Sequence, residues 1–157
     1  MQKIIPHLWF DKNAEEAARF YTSVFRNGKT GDVTRYTEAG FEVHQMPAGT
    51  VLIVEFSIEG MDFIALNGGP VFTFTPAISF MLNCPTKEEV DEIWDKLIKG
   101  GEALMPIDTY PFSERYGWVK DKYGLTWQII FRPDEKRLIQ PSLLFVGDVA
   151  GRSEEAM

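Results

Sequence analysis

Pro6-His7-Leu8-Trp9-Phe10, Pro76-Ala77-Ile78-Ser79-Phe80 and Pro141-Ser142-Leu143-Leu144-Phe145 all read Pro-x-(Leu/Ile)-x-Phe. Each is a short apolar run opened by proline, a residue that strands accept at their first position. Within about a dozen residues each is followed by an acidic pair and a small apolar residue: Glu15-Glu16-Ala17, Glu88-Glu89-Val90 and Glu154-Glu155-Ala156. Acidic side chains in a first helical turn are favoured by the helix dipole. The three starts, at 6, 76 and 141, lie 70 and 65 residues apart. A recurring strand-then-helix signal at that spacing indicates a duplicated supersecondary unit.

The segments between the starts fill in the unit. In the first copy Ile4 to Phe10 reads as a strand. Ala14 to Phe25 carries Ala14, Ala17, Ala18, Tyr21, Val24 and Phe25 at helical spacing, with Asn27-Gly28 as the stop. Strands are expected at Asp32–Thr37, Thr50–Ile58 and Met61–Leu66, with Glu59-Gly60 as a hairpin turn. In the second copy Ala77 to Asn83 is a strand. Thr86 is an N-cap with Glu89 in the capping-box position, and Val90, Ile93, Trp94, Leu97 and Ile98 form the apolar stripe up to Gly100-Gly101. Strands at Glu102–Ile107, Gly117–Lys120 and Leu125–Phe131 complete it. The expected class is α+β, two β-α-β-β-β units forming a curved mixed sheet with a cup. Residues 1–132 make one domain of two units (about 1–70 and 76–132). Residues 133–157 are a polar linker followed by the strand and helix start of a third, truncated unit. That stub either docks on the domain or on a neighbouring molecule, or marks the front part of a longer tandem protein, and its likeness to the N-terminus favours the last origin.

Composition narrows the function classes. The chain has 157 residues, 45% hydrophobic, with 16 Lys+Arg against 23 Asp+Glu for a formal charge of −7. The acidic balance disfavours a nucleic-acid or anionic-membrane partner. No apolar run approaches the roughly 18 residues of a spanning helix, and Met1 to Pro6 lacks a signal-peptide apolar region. The single cysteine, Cys84, excludes an internal disulfide and a four-cysteine zinc site. A cytoplasmic protein is expected, with Cys84 a small buried residue.

Several stretches resemble a known family: Pro6 to Phe10 with Ala14-Glu15-Glu16-Ala17-Ala18-Arg19-Phe20-Tyr21, then Ala77 to Cys84, Pro111-Phe112-Ser113-Glu114-Arg115-Tyr116-Gly117-Trp118, and Asp121-Lys122-Tyr123-Gly124-Leu125-Thr126-Trp127-Gln128. Together they are similar to the PhnB-like branch of the vicinal-oxygen-chelate superfamily (glyoxalase I, bleomycin-resistance proteins, extradiol dioxygenases), often labelled 3-demethylubiquinone-9 3-methyltransferase-like. The resemblance spans residues 1 to about 132 and implies the paired-unit fold and a homodimer. The methyltransferase label fits the residues poorly. A typical S-adenosylmethionine fold places a glycine-rich loop at the opening of a helix, whereas Gly68-Gly69-Pro70 precedes a broken stretch and Gly100-Gly101 ends a helix.

The resemblance also implies where a divalent metal would be held. The first-strand position falls on His7, the fourth-strand position on Ala65 (or Ile64 on a one-residue slip), the fifth-strand position on Ala77 and the last on Gln128. Methyl groups offer no lone pairs, and catalytic metals usually take three or more protein ligands. No metal and no other cofactor are therefore expected. His44, placed in a loop, matches no ligand position.

What remains is a cup for a small organic ligand. Period-two alternation puts His7 with Trp9 on one face of the first strand, Phe63 with Ala65 and Asn67 on the fourth, Ala77 with Ser79 and Met81 on the fifth, and Thr126 with Gln128 and Ile130 on the last. Expected ligand contacts are Trp9, Asn67, Ser79, Phe112, Arg115, Trp118 and Gln128. The Tyr110–Tyr116 loop would cover the mouth, and Arg115 would hold a carboxylate or phosphate. Each has a plainer role available: His7 as a hydrogen-bonded cavity or core histidine, the tryptophans as core or interface aromatics, Arg115 paired with Glu114 or another surface carboxylate. The leading expectation is a metal-independent protein that sequesters a small molecule. The alternative is an isomerase or lyase with His7 as general base and Gln128 orienting the substrate. A third is a scaffold whose tandem partner domain carries the activity.

Overall fold

A computed structural model describes residues 4–156. The first three residues of the expected first unit lie outside them. The chain divides into two compact units, one up to Thr73 and one from Phe74.

In the first unit the order is β1 (His7–Phe10), α1 (Ala14–Val24), β2 (Lys29–Arg35), α2 (Phe41–His44), β3 (Val51–Ile58) and β4 (Met61–Asn67). The strands lie in the order β1-β4-β3-β2, with β1 parallel to β4 and the rest antiparallel. The apolar stripe of α1 is the one the sequence spells: Ala14, Ala17, Ala18, Tyr21 and Val24 are buried, against Leu8, Phe10, Val54, Phe56, Phe63 and Ala65 of the sheet. Tyr21 alone, fully buried, is worth about 2–3 kcal/mol of apolar transfer. Glu59 (φ 51°) and Gly60 (φ 81°) both take positive φ, the two-residue hairpin turn expected between β3 and β4. β2 begins at Lys29, three residues ahead of the expected strand. His44 ends a four-residue helix rather than sitting in a loop.

The second unit repeats this plan: β5 (Ile78–Cys84), α3 (Lys87–Leu97), β6 (Glu102–Tyr110), β7 (Ser113–Lys120) and β8 (Thr126–Phe131), with β5 parallel to β8. Thr86 Oγ accepts from the Glu89 N–H at 3.2 Å, as an N-cap should. The Glu89 carboxylate pairs with Arg137. Gly117 is required by close approach, because a Cβ there would meet the Trp94 ring at 2.5 Å. The expected covering loop Tyr110–Tyr116 is instead a tight turn at Pro111-Phe112 between two paired strands, since Tyr110 already pairs with Ser113.

A fifth strand, β9 (Ile139–Leu143), runs antiparallel to β5 at the sheet edge. The third Pro-x-Leu-x-Phe copy thus lies on the second unit's own sheet. The Leu144 N–H to Ala77 carbonyl bond (2.9 Å) and the Asn83 N–H to Leu138 carbonyl bond (3.1 Å) set the phase of the ladder. In that phase Pro141, opposite Phe80, falls at a non-bonded position with its ring nitrogen turned from β5. Edge strands tolerate proline there. The expected helix at Glu154-Glu155-Ala156 is a single 3-10 turn, Ser153–Ala156. No helix of the described residues is long and apolar enough to cross a membrane.

Candidate functional site

Each unit has one sheet face under its helix and one face away from it. In the first unit the register sorts the second face into three rows. Lys29, Ser57 and Asp62 are paired neighbours in one row. Glu55, Ile64 and His7 form the next, and Ile53, Leu66 and Trp9 the third. Neighbours within a row are about 4.8 Å apart, and rows follow one another at about 6.7 Å along the strands. The face therefore grades from charged to aromatic. A groove of about 370 Å³ opens over its charged end, lined among others by Ile5, Lys29, Gly31, Glu55, Ser57 and Ile64. Register shifts in the β2–β3 pairing fall between Thr30 and Val33, which brings Gly31 over Glu55. A Cβ on Gly31 would stand 3.1 Å from that of Glu55.

At the aromatic end Trp9 Nε1 donates to the Gly69 carbonyl at 2.9 Å, and its ring meets Phe72 edge-on at 5.2 Å. Gly68 leaves room for that ring, since a Cβ there would fall 2.2 Å from it. The side chains of His7, Lys29 and Glu55 have no hydrogen-bond or ion-pair partner among the described residues.

In the second unit the face opposite α3 carries a line of hydrogen bonds. The Tyr116 hydroxyl donates to Gln128 Oε1 at 2.7 Å, and Gln128 Nε2 donates to Ser79 Oγ at 2.7 Å. Tyr110 and Phe112 stack at 5.6 Å, and both meet Tyr116 edge-on. Burial, together with the neighbouring Tyr110, pushes the Tyr116 phenol up to about 12. Trp118 lies on this face beside Gln128, and its indole N–H is buried with no acceptor among the described residues. Ser79 and Tyr116 are themselves buried, so the line ties the sheet together.

Several expected contacts are placed elsewhere. Asn67 is 3% exposed. Its Oδ1 accepts from the Ala14 N–H at 2.9 Å, and its Nδ2 donates to the Val51 carbonyl at 3.0 Å. It holds the start of α1, with both ends of its amide engaged by backbone groups. Phe63 and Ala65 share its face, under α1, so the outward residues of the fourth strand are Ile64 and Leu66. Arg115 lies on the α3 side, where its Nε pairs with Asp91 at 2.7 Å; it cannot reach the Gln128 face. Ser79, Phe112, Trp118 and Gln128 do share that face, and His7 and Trp9 share theirs. Lys29 and Glu55 escaped the sequence reading. Glu55 had a signal, as the one charge in the run Val51–Ile58.

Residues 2–130 match the sequence profile of the family described as 3-demethylubiquinone-9 3-methyltransferase. The chain belongs to that family. A solved PhnB protein from Bacillus cereus, described as a 3-demethylubiquinone-9 3-methyltransferase, is 41% identical over 83% of this chain and all of its own, with a TM-score of 0.75. Protein PA1353 from Pseudomonas aeruginosa, 20% identical over 84% of this chain and 98% of its own, superposes with a TM-score of 0.68. A glyoxalase-related enzyme from Fulvimarina pelagi, 19% identical over 87% and 98% of the two chains, gives 0.54. These last two show the fold alone. No curated protein matches the chain.

The family resemblance implies a divalent-metal position, so the donors matter. The residue in the His7 row on β4 is Ile64, and neither it nor Ala65 has a lone pair. Ala77 precedes β5, and the Gln128 amide bridges Tyr116 and Ser79. Among the described residues no three His, Cys, Asp or Glu side chains converge. This donor set does not fit a catalytic divalent ion, which takes three or more protein ligands. Methyl transfer fares no better: Gly68 and Gly69 follow β4 and Gly100 and Gly101 follow α3, so neither pair opens a helix onto a cofactor phosphate or carboxylate.

Proposed function

We propose that this PhnB-like chain is a small-molecule binding protein of the glyoxalase/bleomycin-resistance type, holding an organic ligand without a resident metal ion. The observation that carries the reading is the groove of the first unit. It sets apolar Ile5 and Ile64 beside Lys29 and Glu55, whose side chains have no partner among the described residues, on a face that turns aromatic toward Trp9, the usual make-up of a ligand site. A homodimer and a cytoplasmic setting belong to the same proposal. The exposed Ile78, Leu143 and Val146 support the former. The test is thermal unfolding of chelator-treated protein against a panel of small aromatic amines, acids and ketones. A compound that binds the folded state raises the melting temperature, and at least one member is expected to do so. A panel that acts only after a divalent ion is restored contradicts the reading.

A second reading is favoured by His7, whose imidazole has no partner among the described residues and shares a row with Glu55. In it the chain is an isomerase or lyase with His7 as general base. Turnover that disappears in His7→Gln would select it over simple binding.

A further inference from the structure

We infer that the groove of the first unit is built for a zwitterion: an α-amino acid with an aromatic or apolar side chain. The inference rests on the binding role proposed above and names the class of ligand. Lys29 and Glu55 both line the groove, in successive rows of one sheet face. Opposite charges so placed would satisfy each other if the site were meant to be empty. Instead, neither side chain has an ion-pair partner among the described residues. Asp62, a second carboxylate of the lining, already has an interaction of its own. A lone anion in the groove would meet Lys29 but be repelled by Glu55, and a lone cation would face the converse. A molecule carrying both charges on one carbon satisfies the pair together, its carboxylate toward Lys29 and its ammonium toward Glu55.

The third row supplies the rest of the recognition. Beyond Glu55 the face turns apolar at Ile64 and then Ile53, Leu66 and Trp9, so the amino acid's side chain extends toward Trp9. The indole is held for that contact by its bond to the Gly69 carbonyl, and aromatic side chains favour edge-to-face or offset packing with one another. Gly31 keeps the space above Glu55 open; a side chain there would press on it.

The experiment is calorimetric titration of the full chain with L-phenylalanine, phenethylamine and 3-phenylpropionate. The same series is run on Lys29→Met and Glu55→Gln, both exposed positions whose replacement leaves the core untouched. L-phenylalanine is expected to bind the parent chain at least about fivefold more tightly than either singly charged analogue. Lys29→Met should erase its advantage over the amine, and Glu55→Gln its advantage over the acid. Equal binding of all three compounds, or preference for an analogue, overturns the zwitterion while leaving a binding role standing. Absence of binding by all three overturns it too. The ketone members of the thermal panel then decide separately whether the face binds small molecules.

Discussion

At the scale of single residues the chain separates side chains that hold the fold from side chains left unspent. Asn67, Asp121 and Gln128 are polar and inward, and each is satisfied by the protein. Asp121 accepts from the Tyr123 N–H at 2.8 Å, the Leu125 N–H at 3.1 Å and Trp127 Nε1 at 2.9 Å. Groups satisfied in this way rigidify the packing around them. Tyr116 belongs with them, and its phenol titrates accordingly. Its folded value, about 12, lies above the ordinary 10. Its contribution is therefore complete below pH 10 and is lost as pH rises from 10 to 12, where the unfolded phenol ionises first. Denaturation midpoints should hold steady up to about pH 10 and then fall. In Tyr116→Phe part of that fall should disappear, and the last phenolate absorbance step, near pH 12, should go with it.

Among the elements, the tail shows what sequence could and could not tell. Both β-α-β-β-β units were legible because helical and strand periodicities alternate cleanly, and because Thr86, Glu59-Gly60 and the apolar stripe of α1 each specify one local geometry. The face of β4 was not legible. Phe63, Ala65 and Asn67 alternate as well as Ile64 and Leu66 do, and only pairing with β1 reveals which set lies under α1. Arg115 was misplaced for the same reason, because one step along β7 exchanges the Gln128 face for the α3 face. The last Pro-x-Leu-x-Phe copy could be read as a strand, but its partner could not. Its anchor is distant in sequence: Arg137 pairs with Glu89 of α3, with side chains only 13% and 16% exposed, and Glu135 accepts from Asn83 Nδ2 at 2.8 Å. Removing one member of a largely buried pair leaves a costly charge behind. Arg137→Ala should lower stability in urea by about 3 kcal/mol, whereas Arg137→Met with Glu89→Leu should recover most of it.

For the whole molecule, family membership fixes the architecture and leaves the chemistry to the residues on the sheet faces. Of the ligand positions that the resemblance implies, His7 alone offers a donor with no partner among the described residues: Ala65 (or Ile64) and Ala77 have no lone pair, and the Gln128 amide is bridged to Tyr116 and Ser79. The unspent groups His7, Lys29 and Glu55 gather instead on the outward face of the first unit, graded toward Trp9. The central claim is that this face takes an organic ligand with no metal intermediary. Its most direct test is a ¹⁵N–¹H spectrum of the EDTA-treated chain, titrated in turn with phenethylamine, 3-phenylpropionate and L-phenylalanine. Saturable shifts are expected at Lys29, Gly31, Glu55, Ile64, Leu66 and the backbone and indole signals of Trp9. Shifts that cluster instead on the Tyr116–Gln128 face, or that arise only after zinc or magnesium is added back, would contradict it.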